Sequence, residues 1–80
     1  MKQSSSELSD CVRKSLDRYF KDLDGEMPRA VYEMVLKNVE RPMLEAILHR
    51  AEGNQTIAAE MLGINRNTLR KKIQQYKIKY

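Results

Sequence analysis

The chain has no tryptophan, one phenylalanine and one cysteine among its 80 residues. A single cysteine excludes an intramolecular disulfide, so no cross-link framework holds the fold. Cys11, without a histidine nearby or a motif around it, is expected to be a small, semi-buried side chain. No stretch reaches the ~18 consecutive apolar residues that a membrane-spanning helix requires. The opening Met1-Lys2-Gln3-Ser4-Ser5-Ser6 lacks the apolar core of a signal peptide, so a cytoplasmic location is expected. The one histidine, His49, has no second histidine or cysteine at ligand spacing. No glycine-rich phosphate loop and no nucleophile–base grouping is present. The expectation is a protein without enzymatic activity, metal, cofactor, small-molecule substrate or membrane partner. Large side chains are scarce, and a chain of this size buries only roughly 60–65% of its unfolded surface. Yet 41% of the residues are hydrophobic. A core shared between two copies reconciles these facts, so a homodimer is expected.

What is present is concentrated at one end. Residues 1–52 carry 9 basic and 10 acidic side chains, whereas residues 53–80 carry 6 basic and 1 acidic. The formal charge of +4 is therefore a property of the C-terminal segment. Such asymmetry suits binding to a polyanion. The same segment reads as two short helices joined by a tight turn. Ala58 and Ala59 are small enough to let a second helix cross closely. Gly63 can enter a left-handed turn without steric cost, and Asn65 can cap the helix that follows. The pattern is that of a helix-turn-helix, which lays one helix in the DNA major groove.

Upstream, residues 1–7 are serine-rich and expected to be flexible. A first helix is expected over Leu8–Asp24. Val12, Leu16, Phe20 and Leu23 fall within about 80° of arc at 100° per residue, and Asp24-Gly25 punctuates its end. A second helix is expected to start near Pro28 and run to about Ala51. Its apolar residues, from Val31 to Leu48, cover most of its circumference, so it must contact several neighbours. The first helix of the same chain and a second copy would satisfy it, in a four-helix dimer core. Pro42 interrupts this pattern, leaving either two helices or one kinked helix. The kinked helix is favoured because the periodicity continues with no turn residue. The third helix is expected over Gln55–Leu62 and the fourth over Arg66–Tyr76. The fold class is thus all-α: four helices with a long, kinked second one and a C-terminal helix-turn-helix. Residues 8–52 serve dimerisation and 53–80 serve DNA.

The fourth helix has two sides. Leu69, Ile73 and Tyr76 lie within about 60° of one another and form a packing stripe. Asn67, Lys71 and Gln74 lie opposite, flanked by Thr68, Arg70 and Gln75. Free N–H groups and the positive dipole end favour phosphate at the helix start. Arg66 stands in that first turn, and its fork matches guanine O6 and N7. Asn67 and Lys71 can reach base edges or phosphates, while Thr68, Arg70 and Lys72 suit phosphates. At the start of the third helix, Asn54 and Thr56 can hold another phosphate. Asn54 and Asn65 would also be present simply as caps. Lys72, Lys77 and Lys79 would equally suit a solvated face, and the dispersed methionines a core.

Gly53-Asn54-Gln55-Thr56, Ala58-Ala59, Gly63-Ile64-Asn65-Arg66 and Thr68-Leu69-Arg70-Lys71-Lys72, with Tyr76, closely resemble the C-terminus of the Fis family of bacterial nucleoid proteins. Tyr19-Phe20, Leu23, Tyr32-Glu33, Val35-Leu36 and Val39-Glu40 extend the resemblance over about residues 8–76. It implies an intertwined homodimer whose kinked second helices cross in the core. It implies recognition helices closer together than one DNA turn, so that bound DNA bends, with shape readout at an A/T-rich centre. It also implies guanine contact by Arg66, base or phosphate contacts by Asn65 and Lys71, and backbone contacts by Asn54, Thr56, Thr68, Arg70 and Lys72. Transcription regulation and contact with RNA polymerase through the turn at Gly63 follow from the same likeness. Three features depart from the family pattern. The hairpin arm of longer members, which touches an invertase, is not expected here. Gln74 and Gln75 stand where lysines are frequent, and Asn67 stands where glycine is usual. Two alternatives fit less well. One is the DNA-binding end of a nitrogen-regulator-type activator. The other is a helical protein-interaction module with a basic tail.

Overall fold

The computed structural model describes residues 2–80, with side chains from Glu7 onward. The described residues form four helices and no strand: α1 (Lys2–Leu23), α2 (Val31–Arg50), α3 (Gln55–Leu62) and α4 (Arg66–Tyr76). None is long and apolar enough to cross a membrane. The chain divides into two compact units, Met1–Val35 and Leu36–Tyr80, with the boundary inside α2.

In the first unit, α1 begins at Lys2, earlier than the expected Leu8. No glycine or proline stands in residues 2–7 to stop it, so the helix pattern extends outward. The flexible stretch expected over residues 1–7 falls almost wholly outside the residues whose side chains are described. Val12, Leu16 and Leu23 of the apolar stripe are half-buried, whereas Phe20 is 45% exposed. Phe20 lies against Tyr19 with ring centroids 5.8 Å apart. Cys11 is exposed, not semi-buried as expected. It stands about 100° around the helix from Val12, off the stripe. After Leu23 the backbone turns through left-handed Asp24 and Gly25 (φ 53° and 89°), as the Asp-Gly pair suggests. No described side chain between Glu7 and Val35 is fully buried.

The start of α2 corrects the expectation for Pro28. The helix begins at Val31, because Ala30 sits in the left-handed region (φ 54°) and cannot belong to a right-handed helix. The Ala30 carbonyl still accepts the Met34 N–H at 3.0 Å, closing the first turn. From there α2 runs continuously through Pro42, in keeping with one helix instead of two.

The second unit closes its own core from one chain. Leu44, Leu48 and Ala51 of α2 meet Ala58 and Ala59 of α3, and Leu69, Ile73 and Tyr76 of α4. Leu44, Leu48 and Leu69 are buried to within 1% of completeness. The small side chains at 58 and 59 are what permit α3 and α4 to pack closely, as the sequence indicates. The C-terminal half of α2 is therefore the third helix of the helix-turn-helix core. Ile78 also enters this core, although the tail reads as solvated. The reason lies in the end of α4. Lys77 turns left-handed (φ 53°), its N–H donates to Gln74 O at 3.2 Å, and the Ile78 N–H donates to Ile73 O at 3.0 Å. This paired closure reverses the chain and points the next apolar residue inward. The end of α2 closes the same way, with Glu52 N–H on His49 O at 3.0 Å and Gly53 N–H on Leu48 O at 2.9 Å.

Candidate nucleic-acid interface

Two asparagines build the interface at its base. Asn54 and Asn65 hold extended backbone and cap α3 and α4, as the sequence indicates. Asn54 Oδ1 accepts the Ile57 N–H at 3.1 Å, and Asn65 Oδ1 accepts the Asn67 N–H at 2.7 Å. Each cap satisfies one orphan donor with its carbonyl oxygen and does not engage its amide NH2 group. Between the helices Gly63 is left-handed (φ 75°), and its N–H donates to Ala59 O at 2.8 Å. A Cβ there would meet nothing within 4 Å, so the requirement at Gly63 is conformational and not steric crowding.

These local choices set the face of α4. Leu69, Ile73 and Tyr76 are buried, while Arg66, Asn67, Thr68, Arg70, Lys71, Gln74 and Gln75 are all exposed. Asn54, Thr56 and Asn65 are exposed as well. Of the nine residues that the sequence nominates for DNA, eight are thus exposed around the two helix starts and the outer face of α4. Arg66 and Thr56 are brought into direct contact: Arg66 Nη1 donates to Thr56 Oγ1 at 3.3 Å. The bond ties the first turn of α4 to the first turn of α3, where backbone N–H groups and the positive dipole ends make ready phosphate sites.

Lys72 is the exception. Its Nζ lies 2.9 Å from Glu40 Oε2, with the lysine side chain 28% exposed and the glutamate 14% exposed. The other oxygen of the same carboxylate, Oε1, accepts the Tyr76 hydroxyl. Arg41 completes the group: its guanidinium donates to the Tyr76 carbonyl, stacks 5.9 Å from the Tyr76 ring centroid and lies 3.6 Å from Glu45. A cation on the terminal carbonyl of α4 opposes the negative end of the helix dipole. The Tyr76 hydroxyl holds the Glu40 carboxyl below its ordinary range, and Lys72 adds to that effect against the opposing effect of burial. In return the Glu40 carboxylate, together with burial, raises the Tyr76 phenol. Sequence patterning does not reveal Glu40 and Arg41, because their partners lie some 35 positions away. The one available signal is that a tyrosine on a packing stripe needs a partner for its hydroxyl.

The tail returns to the start of α3. Tyr80 packs on Gly53, whose added Cβ would lie 3.5 Å from the ring, and Gln55 Nε2 donates to the Tyr80 hydroxyl. Lys79 and Tyr80 line a shallow cleft with Glu45, His49 and Glu52.

Known proteins match this chain along nearly its whole length. The profile described as "Bacterial regulatory protein, Fis family" matches residues 35–76. That of the "DNA-binding protein Fis N-terminal domain" matches residues 2–28. A Fis-like DNA-binding protein of Ralstonia nicotianae is 56% identical over 73 residues, covering 91% of this chain and 95% of that protein. Fis-like DNA-binding proteins of Neisseria meningitidis serogroups A and B are each 49% identical over 76 residues, covering 95% of this chain and 96% of theirs.

Proposed function

The chain belongs to the bacterial Fis family, and from that premise we propose that it is a homodimeric protein that binds and bends double-stranded DNA and regulates transcription in the nucleoid. The observation that carries this reading is the tied pair of helix starts. Arg66 on α4 and Thr56 on α3 are bonded to each other on an exposed, cationic surface. Phosphate is drawn there by both capped N-termini, and Arg66 is placed at the turn of α4 that enters a major groove. Arg66 reads guanine. Asn65, Asn67 and Lys71 contact bases or adjacent phosphates, and Asn54, Thr56, Thr68 and Arg70 hold the backbone.

Dimerisation is supported by what one chain leaves uncovered. Leu8, Phe20, Met27 and Tyr32 are all exposed, with Tyr32 at 77%. On α2, apolar residues occupy most of the circumference, yet only Leu44 and Leu48 are fully buried. A second copy would cover the remainder. Two recognition helices would then engage one duplex, and their separation would set the bend. The turn at Gly63 would be the surface offered to RNA polymerase.

A gel-shift series at two salt concentrations, with the site moved along the fragment, tests this function. Expected are a steep fall in affinity with salt, from counterion release, and mobility that depends on site position. A shallow salt dependence or position-independent mobility would instead point to a protein-interaction module.

A further inference from the structure

Lys72 belongs by sequence to the basic face, yet among the described ion pairs it is the cation of α4 that reaches α2. Its ammonium sits on one oxygen of the Glu40 carboxylate while the Tyr76 hydroxyl occupies the other. Lys72 and Tyr76 are four residues apart, so they stand on one side of α4. One carboxylate thus grips the helix at two points a full turn apart. Arg41 faces the same cluster, but it spends its guanidinium on the Tyr76 carbonyl and on Glu45. Glu40 is therefore the only carboxylate on Lys72 among the described ion pairs. A largely buried ion pair is weak evidence for added stability, because desolvation offsets its attraction.

Resting on the proposed DNA-binding function, we infer that Glu40 is a positioning residue for α4, and that its grip on Lys72 withholds that lysine from the phosphate backbone. Glu40 touches no DNA in this account. It sets how α4 is presented, through Tyr76 and Lys72 together. Lys72, though next to Lys71, releases no counterion when the duplex binds. The phosphate-binding cations of α4 are then Arg70 and Lys71, with Arg66 kept for guanine.

The slope of log affinity against log salt separates a lysine that meets phosphate from one that does not. Each phosphate contact removed lowers its magnitude by about 0.9. A random-sequence duplex oligonucleotide serves as the probe. Lys72→Met is expected to keep the wild-type slope, while Lys71→Ala flattens it. Glu40→Gln keeps an acceptor for Tyr76 but frees Lys72, and is expected to steepen the slope by about 0.9 per liberated lysine. A merely structural role for Glu40 would lower affinity without steepening the slope. Flattening by Lys72→Met equal to that by Lys71→Ala would overturn the inference, as would an unchanged slope for Glu40→Gln. The grip itself is read without DNA, as non-additive losses of thermal stability in Glu40→Gln, Lys72→Met and the double variant. Additive losses would overturn it. Wild-type protein that ignores duplex DNA while the two losses remain coupled would sink the proposed function and leave the grip standing.

Discussion

At the scale of single residues, the proposed interface depends on side chains with two duties. Asn65 caps α4 through its carbonyl oxygen, and in the proposed function its amide contacts DNA. Asn65→Ala is expected to cost about 1 kcal/mol of folding stability through the lost cap, and to weaken DNA binding beyond that loss. Asn65→Asp separates the duties. It keeps the cap, seen as a near wild-type melting temperature, but places a negative charge where phosphate approaches. Arg66→Ala should weaken a preferred site by about 1–3 kcal/mol more than random duplex, because the guanine contact is lost along with a charge. Equal losses on both DNAs, measured by titration at one salt concentration, would remove its reading role. Gly63→Ala should cost about 1 kcal/mol with no rearrangement, since its φ of 75° is the only obstacle.

At the scale of elements, the helix-turn-helix is held by a few fully buried aliphatic side chains and one polar group of residues. Leu48→Ala should lower stability by about 2–5 kcal/mol in denaturant unfolding, because it opens a cavity among three helices. The Glu40–Tyr76 bond makes stability depend on pH at both extremes. Glu40 is held below its ordinary 4.5, so its contribution is intact above that value and is lost as pH falls through the folded value. Tyr76 is held above its ordinary 10.0, so its contribution is intact below that value and is lost as pH rises through the folded one. Melting temperatures of Tyr76→Phe should therefore converge on wild type at both ends of the range and differ most between them. The same elements show what was legible. The bounds of α3 and α4 follow from Asn54, Gly63 and Asn65, because caps and turns are decided by adjacent residues. The stripe of Leu69, Ile73 and Tyr76 follows from periodicity. The start of α2 did not follow, because alanine carries no signal for the left-handed backbone that Ala30 adopts. Nor did the burial of Ile78, which depends on a reversal at Lys77 where a glycine would have announced it. Contacts from Glu40 to Lys72 and Tyr76 join distant stretches, and no local pattern encodes them.

At the scale of the whole molecule, burial is unevenly shared. Residues 36–80 contain every fully buried side chain among the described residues, and residues 7–35 contain none. Sedimentation at micromolar concentration is expected to give a dimer, and a well-folded monomer would remove the reason for bending DNA. Polar replacement of the exposed Phe20 or Tyr32 should shift that equilibrium toward single chains, while the near-core signals of Leu69 and Tyr76 in a spectrum stay in place. The unequal interior also has a calorimetric consequence. Heating should produce two events: one from the N-terminal half, whose midpoint slides downward on dilution, and one from the C-terminal half, which ignores protein concentration. Lone chains at nanomolar levels would then still possess an intact reading head, able to touch a single groove but without the leverage to curve the duplex.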